Sequence, residues 1–383
     1  MKSAAFLAAI LALGAAPAVA TPDPGFDAYV EGLRGARQIP GVAIAVIHDR
    51  RIVKLQGYGL ADAERGRAMT ADTPMNVASV SKPILGLEIL RLAERGRLDL
   101  DGDINRDLPF VIDNPNVAGE TVTLRQLATH TSAIIDFDAE GESPTSDRPL
   151  PLADYLQSVL TPGGARYREG RHYAAWSPGT SREYSNMGAR VAGLAAQRIG
   201  GAPLARLMAR DVFRPLGMTR TSWEARDYRP GELAVRYEVV TCKPGPCADG
   251  KARRLEPRPP NLNTNYPDGG VHSSAADLSR LAMAILNGGR AGQYVLVRPD
   301  TFAMMLRPQL TDPGESRQRF FWRERDGMVG HSGSDYGVFT AFYFDVARGE
   351  AVVVLINRTP DLSTESAMSE LLAKIRATYF RRS

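Results

Sequence analysis

The stretch Ser79-Val80-Ser81-Lys82 runs into Pro83-Ile84-Leu85-Gly86-Leu87-Glu88-Ile89-Leu90. A strand-like segment precedes it, and the pattern that follows predicts a helix over 79–95. Residues three apart share one face of a helix, so Lys82 can reach the Ser79 hydroxyl. A serine becomes a competent nucleophile only when a base takes its proton. A lysine buried beside positive dipoles loses its own proton readily and can serve as that base; an arginine cannot. The chain writes lysine sparingly: six of its 47 basic residues, at positions 2, 54, 82, 243, 251 and 374. This is its one S-x-x-K. Alone, the tetrapeptide also fits an exposed lysine in the first turn of a helix.

Outward from this point, Val42–Ile47 and Ile52–Leu55 flank the turn His48-Asp49-Arg50 and read as a hairpin. Near the other end, 337–344 and 351–356 are two further strands, separated by the turn-rich 345–350. Helical patterns cover 26–33, 124–129, 152–160, 187–199, 204–213, 275–286 and 363–379. The expected fold is α+β: one antiparallel sheet assembled from both chain ends, flanked by helices, with a helical insertion. The sheet lobe should comprise 21–75 and 290–383, and the helical lobe 76–289, with Ser79 at their junction. Two segments read as long surface loops that could also line a cleft, the acidic 136–151 and the basic, proline-rich 243–260.

The 383 residues are 44% hydrophobic and 23% charged, which fits a globular protein. A formal net charge of +4, with no basic run interleaved with aromatics, argues against a nucleic-acid partner. Met1-Lys2, the apolar run to Ala16 and Pro17-Ala18-Val19-Ala20 have the form of a cleavable secretory leader ending at Ala20. The run is too short for a membrane span, so no stable anchor is expected after cleavage. The expected location is secreted or periplasmic. In that oxidising setting Cys242 and Cys247, across Lys-Pro-Gly-Pro, should close a small disulfide loop. The oligomeric state is not legible.

Gly330-His331-Ser332-Gly333-Ser334 looks at first like a G-x-S-x-G elbow. The fifth residue is serine, a strand follows where that elbow needs a helix, and no histidine lies beyond His331. Metal hydrolysis has no H-E-x-x-H and no paired histidines at helical spacing. What does accompany S-x-x-K is Tyr184-Ser185-Asn186, about a hundred residues on, and then Gly330-His331-Ser332-Gly333 before a strand. In this order the three elements resemble the S-x-x-K, Y-x-N and K-T-G/H-x-G set of the serine β-lactamase and penicillin-binding-protein superfamily. The resemblance is nearest to class C β-lactamases and to DD-peptidases and carboxylesterases of that type. Leu124–Ser132, Pro215–Met218 and Asp268–Leu278 extend it over about 26–380.

The resemblance implies a serine hydrolase working through an acyl-enzyme, without metal or cofactor, on a small peptide or ester. Ser79 would be the nucleophile, with Lys82 or the phenolate of Tyr184 as its base and Tyr184 protonating the leaving group. Asn186 would bond Lys82 and the substrate amide. The backbone N–H groups of Ser79 and Ser334 would form the oxyanion hole, and His331, Ser332 and Gly333 would line the substrate strand. His130 and His272 are expected to bond backbone rather than react. His331 stands where β-lactamases carry lysine, which disfavours efficient β-lactam hydrolysis. No E-x-x-L-N supplies a class A deacylating glutamate, and Ala133 replaces the usual glycine after His-Thr-Ser. The leading expectation is a peptidase or amidase on D-amino-acid peptides, with a carboxylesterase as close rival and weak β-lactamase activity third. An inactive binding or sensor relative should have lost Ser79, Lys82 or Tyr184, and all three are present.

Overall fold

A computed structural model describes residues 23–117, 119–137, 150–242, 253–259, 266–312 and 315–380. In chain order the strands are β1 (Gly41–His48), β2 (Arg51–Asp62), β3 (Arg67–Ala68), β4 (Met75–Asn76), β5 (Arg236–Thr241), β6 (Arg253–Arg258), β7 (His272–Ser273), β8 (Arg290–Ala291), β9 (Tyr294–Val295), β10 (Arg323–Arg325), β11 (Met328–Asp335), β12 (Val338–Asp345) and β13 (Glu350–Ile356). The helices are α1 (Pro24–Ala36), α2 (Ser81–Glu94), α3 (Leu124–Thr129), α4 (Leu152–Leu160), α5 (Asn186–Gly200), α6 (Leu204–Met208), α7 (Tyr266–Gly269), α8 (Ala275–Leu286), α9 (Pro299–Leu306) and α10 (Leu362–Tyr379).

Seven strands form one antiparallel sheet in the order β10-β11-β12-β13-β1-β2-β3. Its centre is the pairing of the two chain ends, Val42 opposite Ile356 through Ile47 opposite Ala351. β1 and β13 are apolar and buried almost throughout because both sheet faces are covered. Val42, Ile44 and Val46 join Phe26, Val30, Met368 and Ile375 under α1 and α10. Alternate residues Ala43, Ala45 and Ile47 face the larger core with α2, α5 and α8. The alanines leave room for α8 to lie close against the sheet.

The helical region departs from expectation in three places. Residues 204–213 do not make one α-helix: after α6 the turn widens into a π-helical Ala209–Phe213, which carries Asp211. The basic 243–260 segment is not all loop, because Arg253–Arg258 pairs with Arg236–Thr241 as a hairpin. Arg258 bonds Glu238 and Arg254 bonds Glu256, so the charges that suggested solvated loop hold strand edges. The segment around Ser79 opens as a 3₁₀ turn, Ala78–Val80, before α2. Cys242 is disulfide-bonded, while Cys247, residues 138–149 of the acidic loop and the leader to Ala20 lie outside the described residues.

One buried acid in this region sets a pH dependence. Glu88 on α2 is 0% exposed, and neither carboxyl oxygen has a hydrogen-bond partner among the described residues. Burial first, then the Asp211 carboxylate, push its pKa up to about 7. The native state therefore keeps a proton that the unfolded chain releases near 4.5. The stabilisation is complete below about pH 4.5 and is lost as pH rises through about 7. Asp211, held at about 2, acts in the opposite sense only at strongly acid pH. Glu88→Gln should flatten this loss in urea unfolding compared at pH 5 and pH 8. A variant that loses as much stability as the wild type over that interval would exclude Glu88.

Candidate active site

Ser79 sits on a tight turn whose backbone is held from several sides. Ala78, just before it, has φ of 47°, a left-handed conformation that costs a non-glycine residue about 1–2 kcal/mol. Its N–H donates to Asn76 Oδ1 at 2.9 Å, and Val77 N–H donates to Val271 O at 2.9 Å. Thr340 Oγ1 on β12 donates to Val77 O at 2.9 Å. The strained turn projects Ser79 at the start of α2, with Lys82 one turn further on.

Lys82 is fully buried. Its Nζ lies 3.0 Å from Ser79 Oγ, 2.6 Å from Asn186 Oδ1 and 2.9 Å from the Asp268 carbonyl oxygen. The Asn186 amide has one allowed orientation: its Nδ2 donates at 2.8 Å to Asp136 Oδ2, an atom that can only accept. Asp136 also accepts from the backbone N–H of Asn186 at 2.9 Å and of Met187 at 2.8 Å, capping α5. Two of the Lys82 partners are thus obligatory acceptors. An amine that donates both its N–H bonds to them turns its lone pair toward Ser79 Oγ. The Tyr184 hydroxyl makes no hydrogen bond to Ser79 or Lys82; its ring centroid is 5.0 Å from Nζ.

The Tyr184 ring, 37% exposed, stands between two imidazoles, His130 at 4.5 Å and His331 at 6.2 Å between centroids. His130 Nδ1 accepts from Ser185 N–H at 3.2 Å, the backbone role expected of it. Burial, then Arg182, hold its pKa well down. His272 likewise bonds the Gly270 carbonyl at 2.9 Å and is pushed down to about 4 by burial. His331 bonds the Ser332 carbonyl, and desolvation brings it down to about 4, so it is neutral at physiological pH.

β10 pairs with β11 only over Met328–Gly330, so among the described residues His331–Asp335 has strand β12 on one side and no strand on the other. That edge borders the nucleophile turn at Gly333. A Cβ there would overlap the Val77 carbonyl oxygen and Thr340 Oγ1 and lie 3.1 Å from the Ala78 Cβ. Ser332 lines a cavity of about 380 Å³ with His130, Arg182, Tyr184, Arg323 and His331. No hydrogen bond joins Ser334 to Ser79. Ser79, Lys82, Tyr184 and Asn186 are thus brought together directly, and His331, Ser332 and Gly333 flank them. Ala133 has φ of 59°, which explains why a glycine suits that position.

Sequence reasoning missed Asp136, which it left as one acid of a surface loop, and Asp268, whose carbonyl contacts Lys82. Among the described residues no cluster of three or more His, Cys, Asp or Glu could hold a metal ion. No described helix is long and apolar enough to cross a membrane.

The chain matches the family described as Beta-lactamase over residues 26–377. Protein flp of Staphylococcus aureus (strain MRSA252) is 29% identical over 218 residues. That alignment covers 57% of this chain and 42% of the relative, so the chain spans less than half of that protein. Esterase EstB of Burkholderia gladioli is 33% identical over 302 residues, 74% of each chain. The solved D-amino acid amidase of Ochrobactrum anthropi SV3 superposes with a TM-score of 0.71 at 20% identity, covering 92% of this chain and 99% of that one. Family match and fold agree with the serine–lysine geometry: the chain belongs to the beta-lactamase family of serine hydrolases.

Proposed function

We propose that the protein is an exported peptidase or amidase that cleaves small D-amino-acid-containing peptides through an acyl-enzyme on Ser79. Lys82 takes the Ser79 proton as Oγ attacks the carbonyl carbon. The developing oxyanion is held by the N–H groups of Ser79 and Ser334, each donor worth about 3 kcal/mol. Tyr184 delivers a proton to the departing amine and is reprotonated by Lys82, and water then cleaves the ester by the reverse sequence. Asn186 holds Lys82 and offers its amide to the substrate, whose main chain lies along the free edge at His331–Asp335.

The observation that carries the substrate assignment is the charge of the cavity on the Tyr184 side, where a leaving group must sit. Arg182 and Arg323 both line it and share one carboxylate, Glu315, at 3.6 and 3.1 Å. Glu324, the acid in the lining, is taken by Arg319 at 2.6 Å. An excess of positive charge there suits a leaving group ending in a carboxylate, as a peptide does. A second reading, carboxylesterase, is favoured by the relationship to Esterase EstB. Efficient β-lactam hydrolysis is disfavoured by the neutral His331.

A panel of D-Ala-D-Ala peptide, the same peptide as C-terminal amide, p-nitrophenyl esters and nitrocefin tests the assignment. The free-acid peptide should exceed its amide in kcat/KM by about tenfold or more, since a charge-assisted hydrogen bond to the cavity arginines is lost. Ester turnover with neither peptide cleaved would replace the peptidase reading by the esterase one. Export rests on the Met1–Ala20 pattern, and the mature protein should begin at Thr21 on N-terminal sequencing.

A further inference from the structure

Behind Lys82 lies a buried ion pair that the acyl-transfer steps do not use. Arg190 stands one turn along α5 from Asn186, on the same face. Its Nε donates to Asp268 Oδ1 at 2.9 Å, and its Nη1 donates to the Tyr155 hydroxyl at 3.1 Å. The side chains of Arg190 and Asp268 are each 10% exposed. Asp268 meets Lys82 twice: its carbonyl oxygen accepts from Nζ at 2.9 Å, and its Oδ2 lies 3.9 Å from Nζ.

A lone carboxylate that close to a buried amine would hold it as ammonium, typically by one to three pH units. An ammonium has no lone pair for Ser79. The Arg190 guanidinium on the other oxygen offsets that pull. Arg190 keeps its charge: burial opposes it, and Asp268, Tyr155 and Asp136 together outweigh the burial. The other groups facing Lys82 are uncharged or more distant. Ser79 and Asn186 are neutral, the Tyr184 ring is 5.0 Å away, His130 and His331 are held neutral, and Asp136 acts through Asn186.

We propose that the Arg190–Asp268 pair is a positioning and charge-balancing device for Lys82: Asp268 anchors the amine while Arg190 offsets the pull of the carboxylate on its proton. The proposal rests on Lys82 being the base. A pair that served only to tie α5 to α7 would affect stability and leave the protonation of Lys82 alone.

Opposite substitutions should shift Lys82 in opposite directions. Asp268→Asn keeps the size and the backbone acceptor and removes the negative charge. The acid limb of kcat/KM should then move to lower pH by about one unit. Arg190→Gln leaves the carboxylate uncompensated, and the limb should move to higher pH by about one unit. The double variant should return close to the wild type. In parallel, ¹³Cε-lysine NMR follows the amine itself: with six lysines in the sequence, the Lys82 resonance is assigned by its loss in Lys82→Arg. Its midpoint should move in the same two directions. Midpoints that move while the rate limb stays put would keep the pair as the tuning device and remove Lys82 as the base. Midpoints that do not move, or that move the same way in both variants, would overturn the proposal. If Arg190→Gln fails to fold, Asp268→Asn decides alone: a downward shift supports the device and an unmoved midpoint rejects it.

Discussion

Lys82→Arg should lower kcat/KM by about 10³- to 10⁴-fold, the scale of losing a positioned general base. The substitution keeps a positive charge and offers hydrogen-bond donors to Asn186 and Asp268, so it isolates basicity from charge. A guanidinium has no lone pair to offer Ser79 at any accessible pH. Lys82 is also the group that touches Ser79 Oγ, at 3.0 Å, whereas the Tyr184 hydroxyl is bonded to neither. Kinetics on the best substrate of the panel, with circular dichroism to confirm folding, make the measurement. Turnover near the wild type would remove Lys82 from the mechanism and pass the role of base to Tyr184.

The second large effect is expected at a residue with no side chain. Gly333→Ala would place a methyl against the Val77 carbonyl and Thr340 Oγ1, and Thr340 already donates to that carbonyl. All of these obstacles belong to the turn that presents Ser79 or to the neighbouring strand, so β11 itself must shift. Oxyanion donors act only within about 2.7–3.1 Å of the developing charge. A displacement of a few tenths of an ångström to one ångström should cost about 10²-fold in kcat. Overpacking should also lower stability by about 1–3 kcal/mol. Kinetics well below the melting temperature separate the two losses. An unchanged kcat would mean that the 333–334 edge does not border the reacting centre.

The sheet was legible because β1 and β13 are continuous apolar runs, as strands buried on both faces must be. Short helices were legible where their caps are local. Thr123 and Gln126 form a reciprocal capping box that starts α3, and Ser274 caps α8. β6 was hidden because its stabilising contacts are ion pairs between arginine and glutamate, which in sequence look like solvated loop. The cluster of Ser79, Lys82, Tyr184 and Asn186 could be read because each belongs to a compact motif. Asp136 and the Arg190–Asp268 pair could not. Their partners are 50 and 78 residues away, and nothing local distinguishes an acid that orients an amide from one that faces water.

The central claim is that Ser79 becomes acylated. Incubation with a fluorophosphonate, followed by peptide mass spectrometry, tests it most directly. One adduct per chain is expected, on the peptide that holds Ser79, absent in Ser79→Ala and formed much more slowly in Lys82→Arg. An adduct on another serine, or labelling that persists in Ser79→Ala, would contradict it.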